Sequence, residues 1–200
     1  MAVREWFTAV ELKGKTVTLV PLKLEHAGAL VNAAADGELW NLWFTSVPSQ
    51  SSITAYIEFA LAQQDLGKSL PFVVVDNSSQ KIVGSTRFCN ADTTNKRVEI
   101  GYTWYAKSVQ KTVVNTECKH LLLCHAFETL SAIAVEFRTH WHNHRSRNAI
   151  IRLGAKQDGV LRNHQVMSDG SYRDTVVFSI TNSEWLAVKA SLQFKLDFLS

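Results

Sequence analysis

Proline (3) and glycine (9) are sparse among these 200 residues, which excludes collagen-like and Pro/Gly-rich low-complexity chains. Cysteine is equally scarce. Cys89, Cys118 and Cys124 are odd in number and form no C-x-x-C pair. That excludes a disulfide scaffold and fits a reduced, cytoplasmic setting. No apolar run approaches the roughly 18 residues a membrane span needs. The N-terminal MAVREWFTAV carries Arg4 and Glu5 and has no apolar core of a signal peptide. Neither sign of charge dominates: Lys+Arg 21 against Asp+Glu 18 leaves +3, too little for a dedicated nucleic-acid binder. There is no Gly-x-Ser-x-Gly, Walker loop or His-Glu-x-x-His, which argues against serine hydrolases, P-loop NTPases and zincin proteases.

What is present is a core-forming composition, 46% hydrophobic and 20% charged, sufficient for one ordinary domain without staples. The periodicity predicts a strand at Thr16–Leu22 and a helix from Leu24 to Ala35. An aromatic loop, Trp40–Pro48, follows, then a helix capped by Ser51-Ser52 and ended by Gly67. Strands are expected at Phe72–Asp76, Lys81–Cys89 and Arg97–Tyr105. A nearly buried helix from Thr116 to Leu130 comes next, then a strand around Ile133–Arg138. Asn143 caps a short helix that Gly154 ends. Asp169-Gly170 predicts a type I′ hairpin between Val160–Val166 and Tyr172–Ile180, and Ser183 caps a last helix, Glu184 to about Leu196. The order predicts an α+β domain with a mixed sheet.

Three features carry chemistry. The strand–connection–helix unit Arg97–Leu130 ends in a helix N-terminus flanked by Lys107 and Lys111, whose unpaired N–H groups suit a phosphate. Thr139–Asn148 holds His140, His142, His144, Arg145 and Arg147; no cysteine or carboxylate completes a zinc set nearby, and Asn143 as cap places the segment in a loop where the rings need not converge. Glu99 interrupts an apolar strand, so it either faces solvent or is a partly desolvated functional carboxylate. Cys118, Cys124, His120 and His125 read as packing residues of the long helix.

VEIGYTWYAKSVQKTVVNTE (Val98–Glu117), NHRSRNAIIRLGAK (Asn143–Lys156) and DGSYRDTVVFS (Asp169–Ser179), in that order, resemble the GNAT superfamily of N-acetyltransferases. Within it, the chain resembles the branch containing the ribosomal-protein N-terminal acetyltransferases. The resemblance implies a three-layer α/β/α fold with a mixed, mainly antiparallel sheet, residues 1–200 as a single domain with a core of about 16–180, and acetyl-CoA as cofactor. It places the pyrophosphate loop on Gln110, Lys111, Thr112, Val113, Val114 and Asn115, with Val113 and Asn115 standing where the family has glycine. Trp104, Tyr105 and Thr116 would complete the cofactor wall. Asn143 would bond the pantetheine arm, and Ser146 would lie near the thioester sulfur.

The implied reaction is direct attack of an amine on the acetyl thioester. Glu99 is the expected base, with Asp158 and His164 as weaker ones. Ser146 or Tyr105 would protonate the departing thiolate, and a backbone N–H at Trp104–Tyr105 would stabilise the oxyanion. The expected acceptor is a protein N-terminus or a small-molecule amine, and the family suggests a homodimer. The competing expectation is a non-catalytic CoA-binding module, suggested by the two missing glycines. RNA binding through Arg138–Arg152 is a third.

Overall fold

The computed structural model describes residues 6–167 and 169–199. Its strands are β1 (Leu12–Lys13), β2 (Val17–Pro21), β3 (Leu70–Asp76), β4 (Lys81–Asp92), β5 (Arg97–Tyr105), β6 (Ala134–His140), β7 (Lys156–Val166) and β8 (Tyr172–Thr181). Its helices are α1 (Ala27–Ala35), α2 (Ile53–Asp65), α3 (Val113–Cys124), α4 (His144–Leu153) and α5 (Trp185–Leu199). The strands form one sheet in the order β1-β2-β3-β4-β5-β6-β8-β7. Among the described residues only β5 and β6 pair in parallel, because α3 connects them and returns the chain to the same end of the sheet.

Both faces are covered. On one, α1 and α2 bury Leu30, Ala33, Ile53 and Ile57 with Val73 and Trp104 of the sheet. On the other, Cys118, Leu122 and Leu123 of α3, Ile150 and Leu153 of α4, and Trp185, Val188 and Leu192 of α5 pack on Phe72, Phe88, Val135 and Phe178. The continuous apolar run Leu70–Val74 is buried throughout, as expected of a strand sandwiched between helix layers. Trp185 stacks on Phe127 (5.1 Å between centroids), which docks α5 against the end of α3.

Several boundaries differ from the sequence reading. The helix expected from Thr116 begins at Val113, because the Thr112 hydroxyl accepts from Val114 N (3.3 Å) and starts the turn earlier. Past Cys124 it becomes a π-helical turn, His125–Thr129, closed by Leu130 N donating to His125 O (3.0 Å). Ser52 precedes α2, but its hydroxyl accepts from Ser49 N (2.9 Å) and bonds none of the helix's own donors. Before α5 the Ser183 hydroxyl pairs with that of Thr181. The N–H reaching a side chain there is Thr181 N, which donates to Glu184 (2.9 Å). Val166 pairs with Tyr172, so five residues, 167–171, join β7 to β8 where the type I′ hairpin would have two. The Asn143 cap (Ser146 N to Oδ1, 3.0 Å) and the Gly154 stop (φ +103°) stand where the sequence puts them.

Candidate active site

The site is an opening in the sheet. β5 and β6 hold register only through Arg97↔Ala134, Val98↔Val135 and Glu99↔Glu136; from Ile100 onward β5 runs without β6. The cause is a bulge. Between the pairs Arg87↔Gly101 and Ser85↔Trp104, Thr86 of β4 faces both Tyr102 and Thr103 of β5, and Tyr102 takes a left-handed φ of +50°. A bulge bends and twists its strand, and here it turns β5 away from β6. Gly84 lets the bulged pair lie close: a Cβ there would sit 2.3 Å from Trp104 O. Ala106 N donates to Val83 O (2.8 Å), so alternation turns the N–H and C=O of Tyr105 toward the opening. That C=O accepts Gln110 Nε2 (2.9 Å); the N–H points into the gap.

Two helix N-termini flank the opening on the α3/α4 side. The N–H groups of Val113 and Asn115, in the first turn of α3, have no intrahelical carbonyl to bond, and Lys111 beside them is exposed. Arg145, in the first turn of α4, donates Nη1 to Gln110 Oε1 (3.1 Å), tying the two termini together. The Ser146 side chain is half-buried next to the Asn143 cap. Where α3, α4 and α5 meet, a cavity of about 20 Å³ is lined by Asn115, Thr116, Arg152 and Lys195 among others. Lys195 Nζ donates to Arg152 O. The result is a concave, cationic surface of main-chain donors, which fits a pyrophosphate.

The α1/α2 side is made of buried charge. Glu99, 8% exposed, accepts Asn90 Nδ2 at Oε2 (2.8 Å) and faces Arg138 Nε at 3.5 Å. Glu136 binds Arg97 (2.6 Å) and Arg138 (3.0 Å). Burial raises the Glu99 carboxyl above its ordinary value; the Asn90 bond and the Arg138 charge oppose this without cancelling it. Burial also lowers Arg173 nearby. At the rim, Trp43 lies edge-on to His140 (4.9 Å) and tilts over His142 (5.8 Å), while His142 N donates to His140 Nδ1 (3.1 Å). Two of the three histidines therefore converge, under the aromatic loop. Behind the opening, on the α3 side, Lys119 is buried and donates to Thr103 Oγ1 (2.6 Å); burial lowers its ammonium to about 8.

The side chains of Trp104 and Tyr105 both lie in the interior. The Trp104 indole donates to Tyr56 OH (3.3 Å) on the α2 side. The Tyr105 ring lies in the α3-side core against Cys118, where burial pushes its hydroxyl well above the ordinary range. Asp158 accepts from Ser179 Oγ (3.0 Å) and His164 pairs with Thr175 Oγ1 (3.1 Å). Gln110, Lys111, Thr112, Val113, Val114, Asn115 and Thr116 do line one helix terminus beside Asn143 and Ser146. Sequence reasoning missed Glu136 and Arg173 and read Arg138 only as part of an RNA-binding segment, although alternation on β6 and β8 puts all three on the Glu99 face; it also missed Lys195, which gives no local signal.

A model of the GNAT acetyltransferase domain matches residues 16–156. A GCN5-related N-acetyltransferase from Brucella melitensis superposes with a TM-score of 0.84 at 28% identity, over 95% of this chain and 86% of that one. A candidate acetyltransferase of T. thermophilus does so with 0.84 at 30% identity, over 96% and 99%. YdaF of Bacillus subtilis (strain 168), named as a candidate ribosomal N-acetyltransferase, is 30% identical over 105 residues, 52% of this chain. The match spans 56% of YdaF, about half that relative's length. No described helix is long and apolar enough to cross a membrane. With the family model spanning most of the sequence and the sheet opened between two helix termini, the chain belongs to the GNAT family of acetyl-CoA-dependent N-acetyltransferases.

Proposed function

We propose that the chain, as one domain, transfers an acetyl group from acetyl-CoA to a primary amine by direct attack in a ternary complex. The observation that carries this reading is the opening between β5 and β6, with helix N-termini on one face and the buried carboxylate of Glu99 on the other. When bound, acetyl-CoA supplies an activated acyl group as a thioester.

Val113 N, Asn115 N, Lys111 and Arg145 would hold the pyrophosphate, and Asn143 Nδ2, whose Oδ1 caps α4, would hold the pantetheine arm. Tyr105 N–H, already directed into the gap, would donate to the acyl oxygen as charge develops there. Glu99 would take the ammonium proton, since its raised pKa brings it closer to neutrality than an ordinary carboxylate. Ser146 would return a proton to the sulfur. We give Tyr105 this main-chain role only, because its hydroxyl is locked in the core with a raised pKa and is a poor donor.

The acceptor is a peptide N-terminus or a small amine reached past Trp43 and His140; the name of YdaF favours the former. We place the protein in the cytoplasm as a homodimer, to be read by light scattering. One observation favours the second reading, a CoA-binding module without turnover: Val113 and Asn115 occupy the glycine positions. Thiol release from acetyl-CoA across a panel of amines and N-terminal peptides separates the two. Release with at least one acceptor supports transfer; CoA binding without release from any of them supports the module.

A further inference from the structure

We infer that Arg87 is an acceptor-recognition residue and that the amine this protein acetylates carries a carboxylate close to its nitrogen. The inference rests on the transferase reading above and specifies its substrate. Arg87 is 1% exposed, yet its Nε and Nη2 have no hydrogen-bond partner among the described residues and it forms no ion pair there. A buried, unpaired guanidinium is costly.

Its environment explains how it is held. The guanidinium carbon sits 4.8 Å from the Tyr56 ring centroid and 3.9 Å from that of Tyr102, so two aromatic rings contact it. What remains unpaired, closed to solvent beneath Tyr102, is the in-plane edge with its parallel N–H donors, a fork that matches a carboxylate once Tyr102 turns aside. A tetrahedral anion would press on the rings; a planar one would not. The carboxylates nearest along the sheet are already engaged, Glu99 by Asn90 and Arg138, Glu136 by Arg97 and Arg138. On this face Arg97 and Arg138 share Glu136, and Arg138 also faces Glu99, whereas Arg87 forms no ion pair among the described residues.

The place is also right. Arg87 pairs across the ladder with Gly101, two residues from Glu99, on the α2 side of the sheet where the amine would arrive. Tyr102, half-exposed at 47% and held at φ +50° by the bulge that creates the opening, is its cover. Strain retained at such a position is typical of ligand-contacting segments.

The test uses CoA-loaded protein and matched probes: alanine and alaninamide, and tripeptides beginning with Asp or Asn and with Glu or Gln. Calorimetric Kd and, with acetyl-CoA, kcat/KM are measured for each pair. The acid member is expected to be favoured by about tenfold or more in at least one pair. That ratio should collapse to within about twofold in Arg87→Gln and Arg87→Met. Wild-type ratios near one in every pair, or a preference that survives both substitutions, would overturn the inference. Binding and turnover report separately: an acid preference in Kd without thiol release keeps Arg87 and removes the transferase reading. Thiol release with no acid preference does the reverse. A melting temperature of Arg87→Met at or above wild type supports a recognition role, since a purely structural arginine would lower it.

Discussion

On the helix side of the opening, the groups offered to a ligand are main-chain N–H donors of α3 and α4 together with exposed cations. On the α1/α2 side they are side chains, mostly buried and already committed to one another through Glu99, Arg138, Glu136 and Arg97. Main-chain donors persist whatever side chain is attached to them, so in the proposed site the helix side would keep its N–H groups with Val113 and Asn115 at the loop. Buried charge has no such tolerance, because removing one member leaves its partner unpaired in a dry environment. On the proposed reading, the donor half of the site would be set by backbone geometry and the acceptor half by residue identity.

The largest effect should come from the residue-determined half. Glu99→Gln is expected to lower kcat/KM by roughly 100- to 1,000-fold, within the range for loss of a general base, with little change in acetyl-CoA Kd measured by calorimetry. A substitution on α3 tests how the backbone half is aimed. Glu117 is buried and accepts Lys15, Thr16 and Val17 N–H groups at 2.9, 2.7 and 2.7 Å, fixing α3 to the β1–β2 corner. Glu117→Ala should cost about 3 kcal/mol in denaturant unfolding, because three donors, that of Val17 fully buried, lose their acceptor.

Asn143→Ala should cost about 1 kcal/mol as a lost helix cap and should weaken CoA several-fold. Val113→Gly relieves crowding at the α3 terminus and should tighten acetyl-CoA by no more than about tenfold; an unchanged or weaker Kd would show that the backbone half is already complete. The smallest effect lies outside both halves. Lys156 (2.6 Å) and Thr181 hold Glu184 at about 2, below the ordinary 4.5. A lowered carboxyl stabilises the fold above its unfolded value, and that contribution fades as pH falls from about 4.5 toward 2. The pair is solvent-accessible, so Glu184→Gln should remove only a small, salt-sensitive part of the acid transition.

The same division explains what is legible in the sequence. Asn143, Gly154 and the apolar β3 run have local causes; the cap and the stop stand where capping chemistry puts them, and β3 starts at Leu70, two residues before the expected Phe72. Glu99 stands out because a carboxylate in an apolar strand needs an explanation, though only the register shows it buried against Asn90 and Arg138. The Thr112 cap is hard to read because β-branched Val113 and Val114 weaken the helical signal just where α3 starts. The Tyr102 bulge has no sequence mark, since a left-handed tyrosine is imposed by its neighbours. Arg87, Arg138 and Arg173 come from three strands and converge only when β4, β5, β6 and β8 lie side by side.

The most direct test of the transferase account is the pH dependence of kcat/KM for wild type and Glu99→Gln with an accepted amine. Glu99 has a raised pKa and, as the proposed base, would act in its deprotonated form. The wild-type rate should therefore climb with unit slope as pH rises through that pKa and then level, and the acid limb should vanish in the variant. Parallel profiles, with the same limb displaced only in height, would contradict Glu99 as the base and with it the division of labour between the two halves of the site.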